Sequence, residues 1–161
     1  MAVTKVILVD DHQLIRMGIT ALLSTEKDIQ IIGEVNSAKD VMDSVESKSP
    51  DVILMDISLD DGDGILLTKE ICKKHKGIKV IMLSMHVKED FIQRSLKAGA
   101  SGYLLKDSPK EELIKAIKEV AKGGGYFASE VSQLMVSSYV EKAGDFTNKR
   151  RLNTGLTNRE V

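Results

Sequence analysis

Short apolar runs alternate five times with segments of helical period along the first 122 residues, and this alternation limits the fold more than any other feature. The runs "KVILVDD", "IQIIGEV", "DVILMD", "IKVIMLS" and "GYLLKD" are brief, rich in β-branched residues and apolar at consecutive positions. Each is followed by a segment such as "LIRMGITALLS", "AKDVMDSVES" or "KEELIKAIKEVAK". Apolar residues recur there at helical spacing, as at Ala38, Val41, Met42 and Val45, or at Leu113, Ile117 and Val120. Strands that are apolar on both faces need cover on both, which a parallel sheet between two layers of helices provides. Right-handed crossovers then bring the carboxyl ends of all the strands to one edge. The expected fold class is α/β, a doubly wound five-stranded parallel sheet with helices on both faces.

The strand ends share a second feature. The apolar runs pass directly into Asp10 and Asp11, into Asp56, into Ser84 and into Lys106. In a doubly wound sheet the crevice beyond the carboxyl ends, where the strand order reverses, is the expected site. Carboxylates gathered in one place raise each other's pKa unless a cation offsets them. Asp10, Asp11 and Asp56 can hold a hard divalent cation through oxygen ligands, with Lys106 as a fixed positive charge. Taken singly, each residue has an ordinary role: Asp10-Asp11 as a helix cap, Lys106 on the surface, Tyr103 in sheet packing. Their coincidence at corresponding strand ends favours a site.

The stretch "DVILMDISLDDGDG" adds Asp60, Asp61 and Asp63 behind Asp56. With Gly64 as the sixth position of a calcium loop, Asp61, Asp63 and Glu70 fall at ligand positions three, five and twelve, but the first position is Leu59, which cannot coordinate. "GDGILL" fails as a dinucleotide fingerprint because Leu67 stands where the third glycine belongs. His12, His75 and His86 have no metal-ligand spacing and read as solvated surface histidines.

The chain has 161 residues, 42% hydrophobic and 29% charged, enough for one packed domain and an appendage. A formal net charge of -1 gives no sign of a surface that traps nucleic acid as a whole. Cys72 is the only cysteine and sits in an apolar-periodic segment, which implies a reduced, packed thiol. No apolar run approaches the roughly 20 residues that span a bilayer, and "KVILVDD" comes directly after the N-terminus without a cleavable site. The expectation is a cytoplasmic chain with no targeting segment and no membrane contact.

The constellation Asp10-Asp11, Asp56, Ser84 and Lys106, with Tyr103 three before the lysine and Gly64 eight after Asp56, resembles the receiver domain of bacterial two-component response regulators over about residues 3–122. The segment "AKGGGYFASEVSQLM" is similar to the stretch after the receiver in the LuxR-type (NarL-like) subfamily, and "LTNREV" to the opening of that subfamily's helix-turn-helix domain. The resemblance implies a flavodoxin-like sheet of order 2-1-3-4-5. It also implies a receiver at 1–122, a linker at 123–155 with a helix at about 129–141, and the truncated first residues of a DNA-binding domain at 156–161.

The resemblance also implies a chemistry, residue by residue. Asp56 is the phosphoacceptor, taking a phosphoryl group from a histidine kinase. Asp10, Asp11, Asp56 and the Ser58 backbone carbonyl hold Mg²⁺. Lys106 and Ser84 meet the phosphoryl oxygens, Ser84 and Tyr103 form the switch with Tyr103 turning from exposed to buried, and Ser58 and His86 tune the lifetime. The chain is then no enzyme beyond its own phosphorylation and dephosphorylation. Phosphorylation alters homodimerisation or interdomain contact and so transcription, with DNA bound only through the domain missing from this sequence. Three departures stand out: Asp60 where the family usually has proline, the bulky Met85 after Ser84, and that missing domain. The basic "NKRR" at 148–151 reads as a solvated linker. Two alternatives are an aspartate-nucleophile phosphatase, which needs an acid where Ser58 stands, and a receiver-like module that is never phosphorylated. The stripe Val131, Leu134, Met135 and Tyr139 calls for a partner surface, on this chain's receiver or elsewhere.

Overall fold

In the computed structural model, residues 2–141 are described. The five apolar runs become the strands β1 (Thr4–Val9), β2 (Ile29–Val35), β3 (Val52–Asp56), β6 (Lys79–Ser84) and β7 (Gly102–Leu105). Two short pieces, β4 (Ser58–Leu59) and β5 (Gly62–Asp63), make a small antiparallel hairpin after β3. The main sheet runs β2-β1-β3-β6-β7, all parallel, which is the expected 2-1-3-4-5 order. All of β3 is buried, as are Val6 to Val9 of β1 and Val80 to Ser84 of β6, so the central strands carry no solvated face.

The helices α1 (Gln13–Leu23), α2 (Val41–Lys48), α3 (Gly64–Lys74), α4 (Glu89–Ala98) and α5 (Lys110–Ala121) supply the crossovers. α1 packs beside α5, and α3 beside α4, so the sheet is covered on both faces. Their apolar spacing does the covering: Leu113, Ala116, Ile117 and Val120 of α5 and Ile19 and Leu23 of α1 are buried. Cys72 packs half-buried on α3, its Sγ 3.5 Å from the Gly99 carbonyl oxygen, and burial pushes its thiol pKa up. Among the described residues no helix is long and apolar enough to cross a membrane.

The sheet gains one strand that the sequence reading leaves inside the linker. β8 (Tyr126–Phe127) pairs in parallel with β7, Gly102 opposite Tyr126 and Tyr103 opposite Phe127. Two residues are too few to show a period, and "GGG" before them reads as flexible chain. A helix then covers 129–141, here α6, as expected. It lies along α4, with Val131 fully buried, Leu134 and Met135 packed against the core, and Gln93 Nε2 donating to Ser138 Oγ at 2.8 Å. Tyr139, the fourth residue of the expected stripe, is 74% exposed instead. The remainder of the linker, the basic run at 148–151 and the segment 156–161 lie outside the described residues.

One backbone contact ties the fold to the strand-end crevice. Gly64 opens α3, donates its N–H to the Ile57 carbonyl at 2.8 Å, and passes so close to β3 that a Cβ there would collide with the Asp56 carbonyl oxygen. Gly64→Ala should therefore cost about 2–4 kcal/mol in chemical denaturation, because backbone and not a flexible side chain must give way. Gly18→Ala in exposed α1, where nothing lies within 4 Å of the new Cβ, should instead stabilise by about 0.5–1 kcal/mol.

Candidate functional site

The carboxyl ends of β1, β3, β6 and β7 converge on one crevice. Asp10 and Asp11 follow β1, Asp56 ends β3, Ser84 ends β6 and Lys106 follows β7. The side chains of Asp10, Asp56 and Lys106 are almost sealed from solvent, at 0%, 3% and 3% exposure. Lys106 Nζ lies 2.9 Å from Asp10 Oδ2 and 3.1 Å from Asp56 Oδ1, so a single ammonium bridges acids carried by two neighbouring strands. The Lys106 backbone N–H donates to the Ser84 carbonyl at 2.9 Å, which fixes the root of that side chain. Asp56 Oδ1 also accepts the Ser58 N–H at 3.1 Å, whereas Asp56 Oδ2 has no hydrogen-bond partner.

The charges do not balance: three carboxylates face one ammonium. Burial first, and the Asp10 charge second, push the Asp56 carboxyl up to about 6, with Lys106 pulling the other way. Burial opposes the Lys106 ammonium, but Asp10 and Asp56 outweigh it and hold its pKa above the ordinary lysine value. A divalent cation would relieve this excess. Asp10, Asp11, His12 and Asp56 each offer a ligand atom, all within 4.8 Å of one another, and the unpartnered Asp56 Oδ2 adds a free buried acceptor. The residues present thus fit an oxygen-ligated divalent ion.

His12 is a correction to the reading of the histidines as solvated surface groups. Although 62% exposed, it sets Nδ1 3.0 Å from both Asp10 Oδ1 and Asp11 Oδ1. The turn from β1 into α1, in which the His12 N–H donates to Asp10 Oδ1 at 2.8 Å, folds the ring back over the acids. The only available signal was its place next to them.

The crowded acids of the following loop mostly serve structure. Asp61 accepts the N–H groups of Ala38 and Lys39 at 2.7 and 3.3 Å, and these bonds hold its carboxyl below the usual range. Asp63 caps α3 through Ile65 N–H at 2.8 Å and pairs with Arg94 of α4 at 3.1 Å. Asp60 lends its backbone N–H to Asp11 Oδ2 at 2.7 Å, a bond that proline at this position could not make. The calcium-loop geometry is absent: a strand precedes the loop, Leu59 is buried and Glu70 pairs with Lys74 on α3.

Ser84 and Tyr103 meet at one carbonyl. Ser84 Oγ donates to the His86 carbonyl at 2.9 Å and accepts the His86 N–H at 3.1 Å, and the Tyr103 hydroxyl donates to the same carbonyl at 3.3 Å. Tyr103 has 0% exposure, and burial pushes its phenol pKa up. The ring lies inside the fold, its hydroxyl on the carbonyl that Ser84 also uses. Ser58, Met85 and the His86 residue as a whole are exposed beside the crevice, and no second acid stands two after Asp56.

Residues 6–118 match the response regulator receiver domain family. The chain is 36% identical over 135 residues to the transcriptional regulatory protein DegU of Brevibacillus brevis, covering 84% of this chain and 57% of that protein. It is 35% identical over 139 residues to the response regulator protein VraR of Staphylococcus saprophyticus, covering 86% of this chain and 66% of that one. It spans less than two thirds of the length of both curated relatives. A crystal structure of a LuxR-family two-component response regulator from Aurantimonas sp. SI85-9A1 superposes with a TM-score of 0.81 at 27% identity, covering 86% of this chain and 99% of that chain. On the strand order, the buried acid pair with its lysine and the family match together, this chain belongs to the response regulator receiver domain family.

Proposed function

We propose that this chain is a phosphorylation-operated switch in which Asp56 accepts a phosphoryl group from a histidine kinase of a two-component system in the cytoplasm. The observation that carries the reading is the single Lys106 ammonium held between Asp10 and Asp56 while Asp56 Oδ2 remains unpartnered and buried. That oxygen forms the new bond to phosphorus as the bond to the donor's imidazole nitrogen breaks, leaving an acyl phosphate. Lys106 is already within reach of Asp56 and offsets charge on the phosphoryl oxygens. Asp10, Asp11, Asp56 and the Ser58 carbonyl would hold Mg²⁺, which supplies neutralisation of the phosphoryl oxygens when bound. Self-phosphorylation and hydrolysis are then the chain's only catalysis. Ser58 and His86, exposed at the mouth, set how easily water reaches the acyl phosphate.

Output depends on the shared carbonyl of His86. For Ser84 to donate to a phosphoryl oxygen it must release that carbonyl, which leaves the Tyr103 hydroxyl as its remaining side-chain donor. The loop leading into α4 then moves, and α4 carries both α6 and the Arg94 tie to Asp63. We read 1–122 as the receiver, 123–155 as a linker and 156–161 as the start of a DNA-binding domain, so that the parent regulates transcription as a homodimer on DNA.

Incubation with acetyl phosphate and Mg²⁺ should add one phosphoryl group by intact mass, and Asp56→Asn or removal of Mg²⁺ should abolish it. Labelling that survives Asp56→Asn would sink the assignment. The raised Asp56 pKa makes a second test. The fold bearing this carboxyl is most stable when it is protonated and loses stability as pH rises through about 6. Asparagine does not titrate. Without divalent ions, Asp56→Asn should therefore melt above the native chain at about pH 8, the gap closing as pH falls through Asp56's range. A gap independent of pH would contradict the strained carboxylate. Self-association in sedimentation should strengthen with beryllofluoride and Mg²⁺; an unchanged mass across a wide concentration range would favour release of the missing domain over dimerisation.

A further inference from the structure

The phosphoacceptor reading leaves His12 without a task, yet its imidazole is the one nitrogen donor in the crevice cluster. It caps the start of α1 in an extended conformation, φ −96° and ψ 110°, and makes no side-chain bond to the helix backbone. Its Nδ1 instead faces two carboxylate oxygens, Asp10 Oδ1 and Asp11 Oδ1, each at 3.0 Å. The contact to Asp11 Oδ1 is close but does not have the alignment of a hydrogen bond, and that oxygen is otherwise unpartnered. The turn and the ring's own bond to Asp10 Oδ1 hold the imidazole over the acids.

Octahedral ions with bonds of about 2.1 Å place neighbouring ligand atoms about 3.0 Å apart. The nitrogen and each of the two oxygens already stand at that spacing. The fourth member of the cluster, Asp56, also offers a carboxylate oxygen, and the unpartnered Asp11 Oδ1 belongs to a side chain only 6% exposed. A carboxylate oxygen only accepts, so in the ion-free crevice Nδ1–H donates to Asp10 Oδ1 at 3.0 Å. An arriving cation takes the place of that proton, which passes to Nε2 at the exposed edge of the ring or to water. An imidazole adds little for Mg²⁺, which favours oxygen, but much for the later first-row ions.

We propose that His12 is a metal ligand that extends the acidic site to borderline divalent transition ions such as Ni²⁺ and Zn²⁺. The inference rests on the carboxylate cation site proposed above. It makes the choice of ion, and not only its presence, a property of this crevice. His12 sits at the rim and the acids below it, so an oxygen-seeking ion can use the acids alone while a nitrogen-seeking ion also engages the ring.

Calorimetric titration of the untagged full chain with Mg²⁺ and with Ni²⁺ separates these contributions. His12→Gln should weaken Ni²⁺ binding on the order of tenfold or more and leave Mg²⁺ binding within about twofold. His75→Gln, which removes an imidazole beside Glu46 on another part of the fold, should change neither. In parallel, Ni²⁺ should shift the His12 ring protons in NMR spectra of the native chain. Ni²⁺ affinity unchanged in His12→Gln, or equal weakening of both ions, would overturn the ligand role of His12. Mg²⁺ and Ni²⁺ binding that both survive Asp11→Ala would instead overturn the carboxylate site, and the inference with it.

Discussion

The buried contact of Lys106 with Asp10 and Asp56 is the interaction on which the rest of the crevice depends. Two carboxylates with at most 3% exposure, on adjacent strands, repel each other in a medium that screens poorly. One ammonium between them offsets part of that repulsion, and removing one partner of such a set costs more than the pair itself contributes, because a buried charge is left alone. The fold delivers the lysine from β7, two strands away from β3, through the backbone bond between Lys106 N–H and the Ser84 carbonyl. The remaining negative charge is held in reserve for a ligand. With Asp11 counted, three carboxylates face one ammonium, an excess of two negative charges that a divalent cation would match.

The loop after Asp56 is closely tied down by its own bonds. Asp60 N–H holds Asp11, Asp61 holds the turn before α2, and Asp63 holds both the first turn of α3 and Arg94 of α4. Three acids that look redundant in the sequence each anchor a different element around the crevice. Of the four, only Asp56 points its charge into the interior.

The parallel sheet, the helix faces and the convergence of Asp10, Asp11, Asp56 and Lys106 were legible in the sequence because each depends on a period or on the last residue of an apolar run, whereas the strand order came from the family resemblance alone. Those signals are set by burial, which acts over whole elements. The features that escaped depend on single turns. The ring of His12 is aimed by one backbone bond to Asp10, and the β8 pairing rests on two residues. The stripe of α6 was read correctly through Met135 and failed at Tyr139, where the helix runs past the surface it covers.

The short strand β8 has a meaning for where this unit can be cut. Through Tyr126 N–H to Ser101 and Ala128 N–H to Tyr103, it occupies the outer hydrogen-bonding edge of β7, and Ala128 and Val131 seal the apolar ground beneath. A chain ended after α5 at residue 122 would leave that edge unpaired, a template for edge-to-edge aggregation, directly beside Tyr103. Among the described residues the packing therefore continues past the five repeats to Val131, and the segment that reads as a linker is at its start a wall of the sheet.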